Sequence, residues 1–285
     1  MGSRLLHKIL FLLASALLLV GSQDVHADVT EELVNDPPET ALSRNQKAAL
    51  LNVSAGAIII GWGVLNWDYF TQSPQTKTEG WFGHGTDEGG ADKAGHAFTA
   101  YAMSHGFSSI YRHWNYSPQD AALYGAWSAF GVTTLMELGD SFSDDYGFSY
   151  EDQLMNIGGA TLGYLLDYYP SVANKIDIRW EYNPNLGNPK GDFVTDYEHS
   201  RYLLALKASG FERITNPWIK PLELQFGYYT RGYADYDSAL PDQRKRAVYG
   251  GLGVNIGFLL EPLWKTRLFD YVQIPYTHVD VELHD

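Results

Sequence analysis

Residues 147–182 read GFSYEDQLMNIGGATLGYLLDYYPSVANKIDIRWEY, and the spacing of their apolar residues changes part-way along. As far as Tyr168 they fill a helix-length block, which Ser149 opens as a cap, with Asp152 three residues on as an approximate capping box, and Pro170 stops. Beyond it, Ile176 to Tyr182 alternates apolar with charged residues, the two-residue period of a strand. The regime switches near Pro170. An α+β protein is predicted, with an N-terminal four-helix bundle at 45–170 followed by an antiparallel strand-rich region at 171–285.

Working outward toward the N-terminus, three more helical blocks appear. The first runs from Gln46 to Trp67 with no charge between Ala48 and Trp67, the second from Asp92 to Tyr111, and the third from Pro118 to Leu138 behind the cap and first-turn proline of Ser117-Pro118. On the fourth, Gly159, Ala160 and Gly163 offer a small-residue face for close helix contact. Toward the C-terminus, Leu222 to Tyr228 and Thr277 to Leu283 alternate. Between them Val248, Leu252, Val254, Ile256 and Phe258 share one face, with Tyr249, Gly251, Gly253, Asn255 and Gly257 on the other. The polar stretch Ala234 to Arg246 reads as a long hairpin loop. Tyr- and Gly-rich strands beside long polar loops have the pattern of outer-membrane hairpins, and an ordinary soluble antiparallel sheet has the same period.

Arg4 and Lys8 precede the uncharged run Ile9 to Val20, and Val25-His26-Ala27 ends in a small-x-small site. Residues 1–27 are therefore expected to be a signal peptide, with a processed chain beginning at Asp28 and a flexible lead segment over 28–44. The 285 residues hold 20 Lys and Arg against 34 Asp and Glu, a net charge of −14, and no cysteine. Nucleic acid is excluded as a partner for want of clustered basic residues, and nucleotides for want of a phosphate-binding loop. The missing cysteine removes disulfides, thiolate metal sites and a cysteine nucleophile. The acidity is not spread evenly. Residues 28–170 carry 5 Lys and Arg against 18 Asp and Glu, whereas the strand-rich region is nearly balanced.

If the helices run up and down, the unusual polar residues converge at one end. Asp92 and His96, with Lys93 between, open the second helix on one face. Glu137 and Asp140 close the third, and Asp152 and Asn156 open the fourth. The neighbouring loops add His84, Asp87, Glu88, Asp144 and Asp145, while His105 and His113 lie toward the other end and read as core or surface residues. The helix dipole favours Asp92 and Asp152 at N-termini but disfavours Glu137 and Asp140 at a C-terminus. Crowded carboxylates need a counter-charge, shared protons or a cation. The candidate metal ligands are His96, Glu137 and Asp140, for magnesium, manganese or zinc, and the candidate catalytic residues are Asp92, Lys93, His96, Asp152 and Asn156. A structural network of ion pairs closing the bundle is the alternative.

The order Asp92-Lys93-Ala94-Gly95-His96, Glu137-x-x-Asp140, then Gly147-Phe148-Ser149-x-x-Asp152-x-x-x-Asn156-Ile157-Gly158-Gly159-Ala160 resembles the YfiM-type family of bacterial envelope proteins. Many members of that family are lipoproteins, and no activity is assigned to it. The same pattern is similar to the wider VanZ-like group of helical membrane proteins implicated in resistance to teicoplanin-type antibiotics. The resemblance covers about Ala91 to Tyr164, and Gly227 to Tyr233 is similar to longer members of the first family. Two departures stand out: Asp140 replaces a usual Gln of the VanZ-like pattern, and the lipid-bearing cysteine is absent.

The resemblance implies an envelope location. Arg44, Lys47 and Arg112 at the end opposite the acidic cluster suggest one membrane orientation and the signal peptide the other. The expected compromise is a periplasmic bundle lying against a membrane face, associated with the outer membrane. The expected function is hydrolysis or phosphoryl transfer on a lipid, lipid-linked or cell-wall substrate. The alternative is a non-catalytic assembly protein with a membrane surface, an envelope lipid or an envelope protein as its partner.

Overall fold

A computed structural model describes residues 42–185, 192–233, 243–264 and 266–284. The expected signal peptide at 1–27, most of the expected lead segment and most of the 234–246 stretch lie outside the described residues. Four long helices follow in sequence: α1 (Arg44–Asn66), α2 (Ala91–His113), α3 (Pro118–Asp140) and α4 (Tyr150–Tyr168). Local chemistry fixes their starts. Ser43 and Gln46 form a reciprocal capping box on α1, Ser117 caps α3 ahead of Pro118, and the Ser149 hydroxyl accepts from the Asp152 amide on α4. The one-turn helix α5 (Pro170–Ala173) ends the helical half.

Small residues set the bundle's spacing. A Cβ on Gly159 would stand 2.0 Å from the Ala97 carbonyl oxygen, and one on Gly163 2.6 Å from Ser104 Cβ, so α2 and α4 touch along the glycine face. Gly125 brings α3 equally close to Ser104 and Ser108 of α2. α1 packs chiefly on α3, and only Gly56, Trp62 and Gly63 of its residues are buried.

Six strands follow: β1 (Ile176–Tyr182), β2 (Ser200–Lys207), β3 (Leu222–Arg231), β4 (Lys245–Val254), β5 (Val272–Gln273) and β6 (His278–His284). They form one sheet in the order β5-β1-β2-β3-β4-β6, antiparallel except for the β1–β5 pair, which is parallel. The predicted α+β architecture holds with three differences. β2 is not visible as an alternating run, because Tyr202, Leu203 and Ala205 are buried on both faces of the strand. β4 begins at Lys245, inside the stretch read as a loop. It also stops at Val254, since the Asn255 side chain accepts from the Phe258 amide and opens α6 (Ile256–Leu260); Ile256 and Phe258 continue the alternation without being strand.

The two halves meet along α2. Phe98 packs on Trp180 and Tyr202, and Tyr101 on Tyr271 beside β5. Buried His105 joins three segments: its Nε2 lies 3.0 Å from the Gly163 carbonyl on α4 and its Nδ1 2.7 Å from the Tyr271 hydroxyl.

Candidate functional site

The loop between α1 and α2 turns back under the bundle at Gly89 and Gly90, whose φ values of 65° and 93° suit glycine. It delivers Glu79 to the start of α2, where the Gly80 amide donates to the buried Glu151 carboxylate at 3.1 Å. Here Asp92, Lys93 and His96 of α2, Glu137 of α3 and Asp152 and Asn156 of α4 come together. Two groups of contacts result.

The first surrounds Lys93, whose side chain is 1% exposed. Its Nζ lies 2.6 Å from Asp92 Oδ2, 2.7 Å from Glu79 Oε2 and 2.8 Å from Asp152 Oδ1. The ammonium donates to Glu79 and Asp92 and pairs by charge with Asp152. The second group surrounds His96. Its Nδ1 is 3.3 Å from Asn156 Oδ1 and 3.4 Å from Glu137 Oε1, while Nε2 is 3.8 Å from Asp152 Oδ1. Asn156 Nδ2 donates to Glu137 Oε1 at 3.5 Å, and the Ser149 amide to Glu137 Oε2 at 3.4 Å. Asp152 therefore belongs to both groups and links the two bases.

Asp140 is close enough for its charge to act on His96 and Glu137 but touches neither group directly. It lies beside the hydroxyl of Tyr69, which donates to the Met136 carbonyl at 2.9 Å. Tyr69 is wedged between Gly63 of α1 and Gly139 of α3, where a Cβ on either glycine would come within 2.1 Å of its ring. The flanking residues Asp68 and Phe70 take φ values of 52° and 68°, a local strain that the wedge sustains. Of the loop residues, Asp144 and Asp145 are exposed, Asp87 pairs with Lys77 at 2.9 Å, and His84 lies 3.1 Å from the Arg244 carbonyl. None of these four is a member of the two groups. Glu79, Glu151 and Tyr69 had no signal in sequence spacing, because a loop contact and a wedge arise only in the packed chain.

Among the described residues, two sets have donor atoms close enough to share an ion: His96, Glu137 and Asp152, and Glu79, Asp92 and Asp152. The Lys93 ammonium already meets all three carboxylates of the second set. The first has imidazole and carboxylate donors suited to a borderline divalent metal, but its carboxylates approach opposite ring nitrogens. One ring nitrogen and one oxygen of each carboxylate nonetheless lie within 4.8 Å of one another, and Asp140 is not in the set. The same crowding lets the carboxyls share protons.

Glu79 shows that sharing. Burial, then the hydrogen bond and charge of Asp152, push its carboxyl up from 4.5 to about 8. Between those values the folded chain keeps a proton that the unfolded chain has released. The contribution is therefore full below pH 4.5 and lost as the pH rises through about 8. Glu79→Gln imitates the protonated group. Thermal melts from about pH 6 to about pH 9 should show the variant gaining on the parent chain as the pH rises; parallel curves would mean that Glu79 is ionised throughout.

Residues 78–168 match the family model described as predicted periplasmic lipoprotein (DUF2279). The DUF2279 match runs from just before Glu79 to the end of α4 and so takes in every residue of the two groups, leaving α1 and the sheet outside. Its description agrees with the envelope character implied by the sequence resemblance. This chain has no cysteine to carry a lipid. No curated protein and no solved structure matches the chain.

Proposed function

We propose that the chain is a cell-envelope protein whose DUF2279-like region is an acid–base centre acting on a lipid, lipid-linked or cell-wall substrate by hydrolysis or phosphoryl transfer. The carrying observation is His96. Its side chain is 13% exposed while Glu137 and Asp152, on opposite sides of the ring, are buried, so a base with fixed orientation stands at the mouth of a charged interior. Asn156 and Glu137 hold one nitrogen, leaving Nε2 to exchange a proton with a substrate, and Asp152 stabilises the imidazolium that forms. Lys93 is fully engaged by its three carboxyls, so its role is to hold Asp152 and Asp92 in place rather than to meet a substrate. A divalent ion, if one is used, takes His96, Glu137 and Asp152. The YfiM-type and VanZ-like resemblances support the envelope setting, and an outer-membrane-associated periplasmic location is part of the same proposal.

The second reading is a non-catalytic envelope protein whose polar cluster locks the helix ends in register. The near-complete pairing of the cluster favours it. Buried ion pairs are weak as sources of stability, which is the physical reason for preferring the first. The test compares cells making the intact chain with cells making His96→Gln at equal abundance, reading envelope lipids and lipid-linked precursors by mass spectrometry and metal content on the purified proteins. The intact chain should change the amount of at least one such species and His96→Gln should not. Identical profiles, with both proteins folded, would discard the catalytic reading.

A further inference from the structure

The sheet is built inside out. Along β3, Glu223, Gln225 and Tyr229 are buried while Leu222, Leu224 and Phe226 face outward, Phe226 at 51% exposure. On β4 Ala247 and Tyr249 are buried and Val248 and Leu252 exposed; on β6 Val279 and Val281 stand out at 75% and 70%. The sheet curls around its charged side. Arg179 on β1 reaches Glu223 two strands away at 2.7 Å and Asp177 at 2.6 Å, Lys207 meets Asp177 at 2.5 Å, and His278 of β6 lies 3.4 Å from Glu181 of β1. Against water this arrangement loses twice, by desolvating ions inside and by leaving Leu, Val and Phe wet outside. Against hydrocarbon the second loss does not arise, and polar-in, apolar-out is the pattern of strands that face lipid.

Length, ends and neighbour all point to the same occupant. β3 and β4 are each ten residues long, within the range of about 9–11 that crosses a bilayer core. None of the outward positions 222, 224 and 226 of β3, 248, 250, 252 and 254 of β4, or 279, 281 and 283 of β6 is charged, and beyond Phe226 the same face of β3 turns to the helical half, where Tyr228 packs on Phe82 and donates to the Gly89 carbonyl. At the end of the sheet where β3 begins and β4 stops, Trp218, Trp264 and Tyr276 are exposed, as aromatic residues are at a membrane–water boundary. α1 repeats the pattern on the bundle. It is a 23-residue helix, long and apolar enough to cross a membrane, with Leu50, Val53 and Leu65 outward.

We propose that the outer wall of β3, β4 and β6, together with the outward face of α1, lies in the hydrocarbon of a lipid bilayer, so that the chain is held by its own apolar surface where lipoproteins are held by an acylated cysteine. The cysteine-free chain makes the test direct. Leu224→Cys, Leu252→Cys, Val281→Cys and Val53→Cys each carry a nitroxide in the full chain, reconstituted into phosphatidylethanolamine and phosphatidylglycerol vesicles, with Glu212→Cys as an aqueous control. Collision with dissolved oxygen should exceed collision with a water-soluble nickel chelate several-fold at the four wall positions and fall below it at Glu212. Nickel collision as frequent as at Glu212 would show a wet wall, and protection from both reagents would show a wall covered by protein such as a second copy; either overturns the proposal. The unsubstituted chain supplies an independent check: it should stay with the vesicles through alkaline carbonate washing, and its release would overturn the proposal.

Discussion

Gly159→Leu is expected to destroy the bundle and, with it, the site. Even the first added carbon would lie 2.0 Å from the Ala97 carbonyl oxygen and 2.8 Å from its carbon, and both belong to the backbone of α2. No rotamer relieves a backbone collision, so α2 and α4 must separate and carry His96 and Lys93 away from Asp152 and Asn156. A loss of about 3 kcal/mol or more is expected, enough to unfold a marginal protein. The adjacent residue gives the contrast. Gly158 has nothing within 4 Å of its missing Cβ, so Gly158→Ala should stabilise the helix by about 0.5–1 kcal/mol. Thermal unfolding of the two variants side by side decides the matter, and similar melting temperatures would show that the glycine face does not set the helix spacing.

Lys93→Met should have the second large effect. It leaves Glu79, Asp92 and Asp152 facing one another without their shared cation, and removing one partner of a buried ionic group costs about 3–5 kcal/mol. The cost should be recoverable. Adding Asp92→Asn and Asp152→Asn to Lys93→Met removes the stranded charges, and the triple variant should melt well above the single one. If the single variant melts like the parent chain, the ammonium is not balancing the carboxyls; if the triple variant is no better than the single, loss of packing rather than stranded charge is the cause.

How far the sequence disclosed this depended on where each element's signal was stored. The helices were legible because their caps are local: Ser117-Pro118 and Ser149 stand at the predicted starts. α1 begins two residues before its predicted start, since Gln46 works as the third residue of a capping box and not as the first of an apolar block. β2 escaped notice because a strand buried on both faces loses its alternation, whereas Asn255 ended β4 through one side-chain hydrogen bond that no periodicity encodes. Convergence of Asp92, Lys93, His96, Glu137, Asp152 and Asn156 follows from up-and-down connections and helix spacing alone. The placing of Asp140 beside Tyr69 does not, because it depends on Tyr69 entering between two glycines. The sheet was the hardest case. Alternation reveals two faces but not which of them is inside, and here the charged one is.

His105 ties the helical half to the far end of the chain. Its ring is buried between α2 and α4, yet the hydroxyl that meets its Nδ1 belongs to Tyr271, 166 residues further on. All four long helices are complete by Tyr168, about a hundred residues earlier. The C-terminal segment thus completes the helical half from outside it, and a chain cut after Val254 would carry its helices but leave an imidazole nitrogen in the interior with no hydroxyl to meet it.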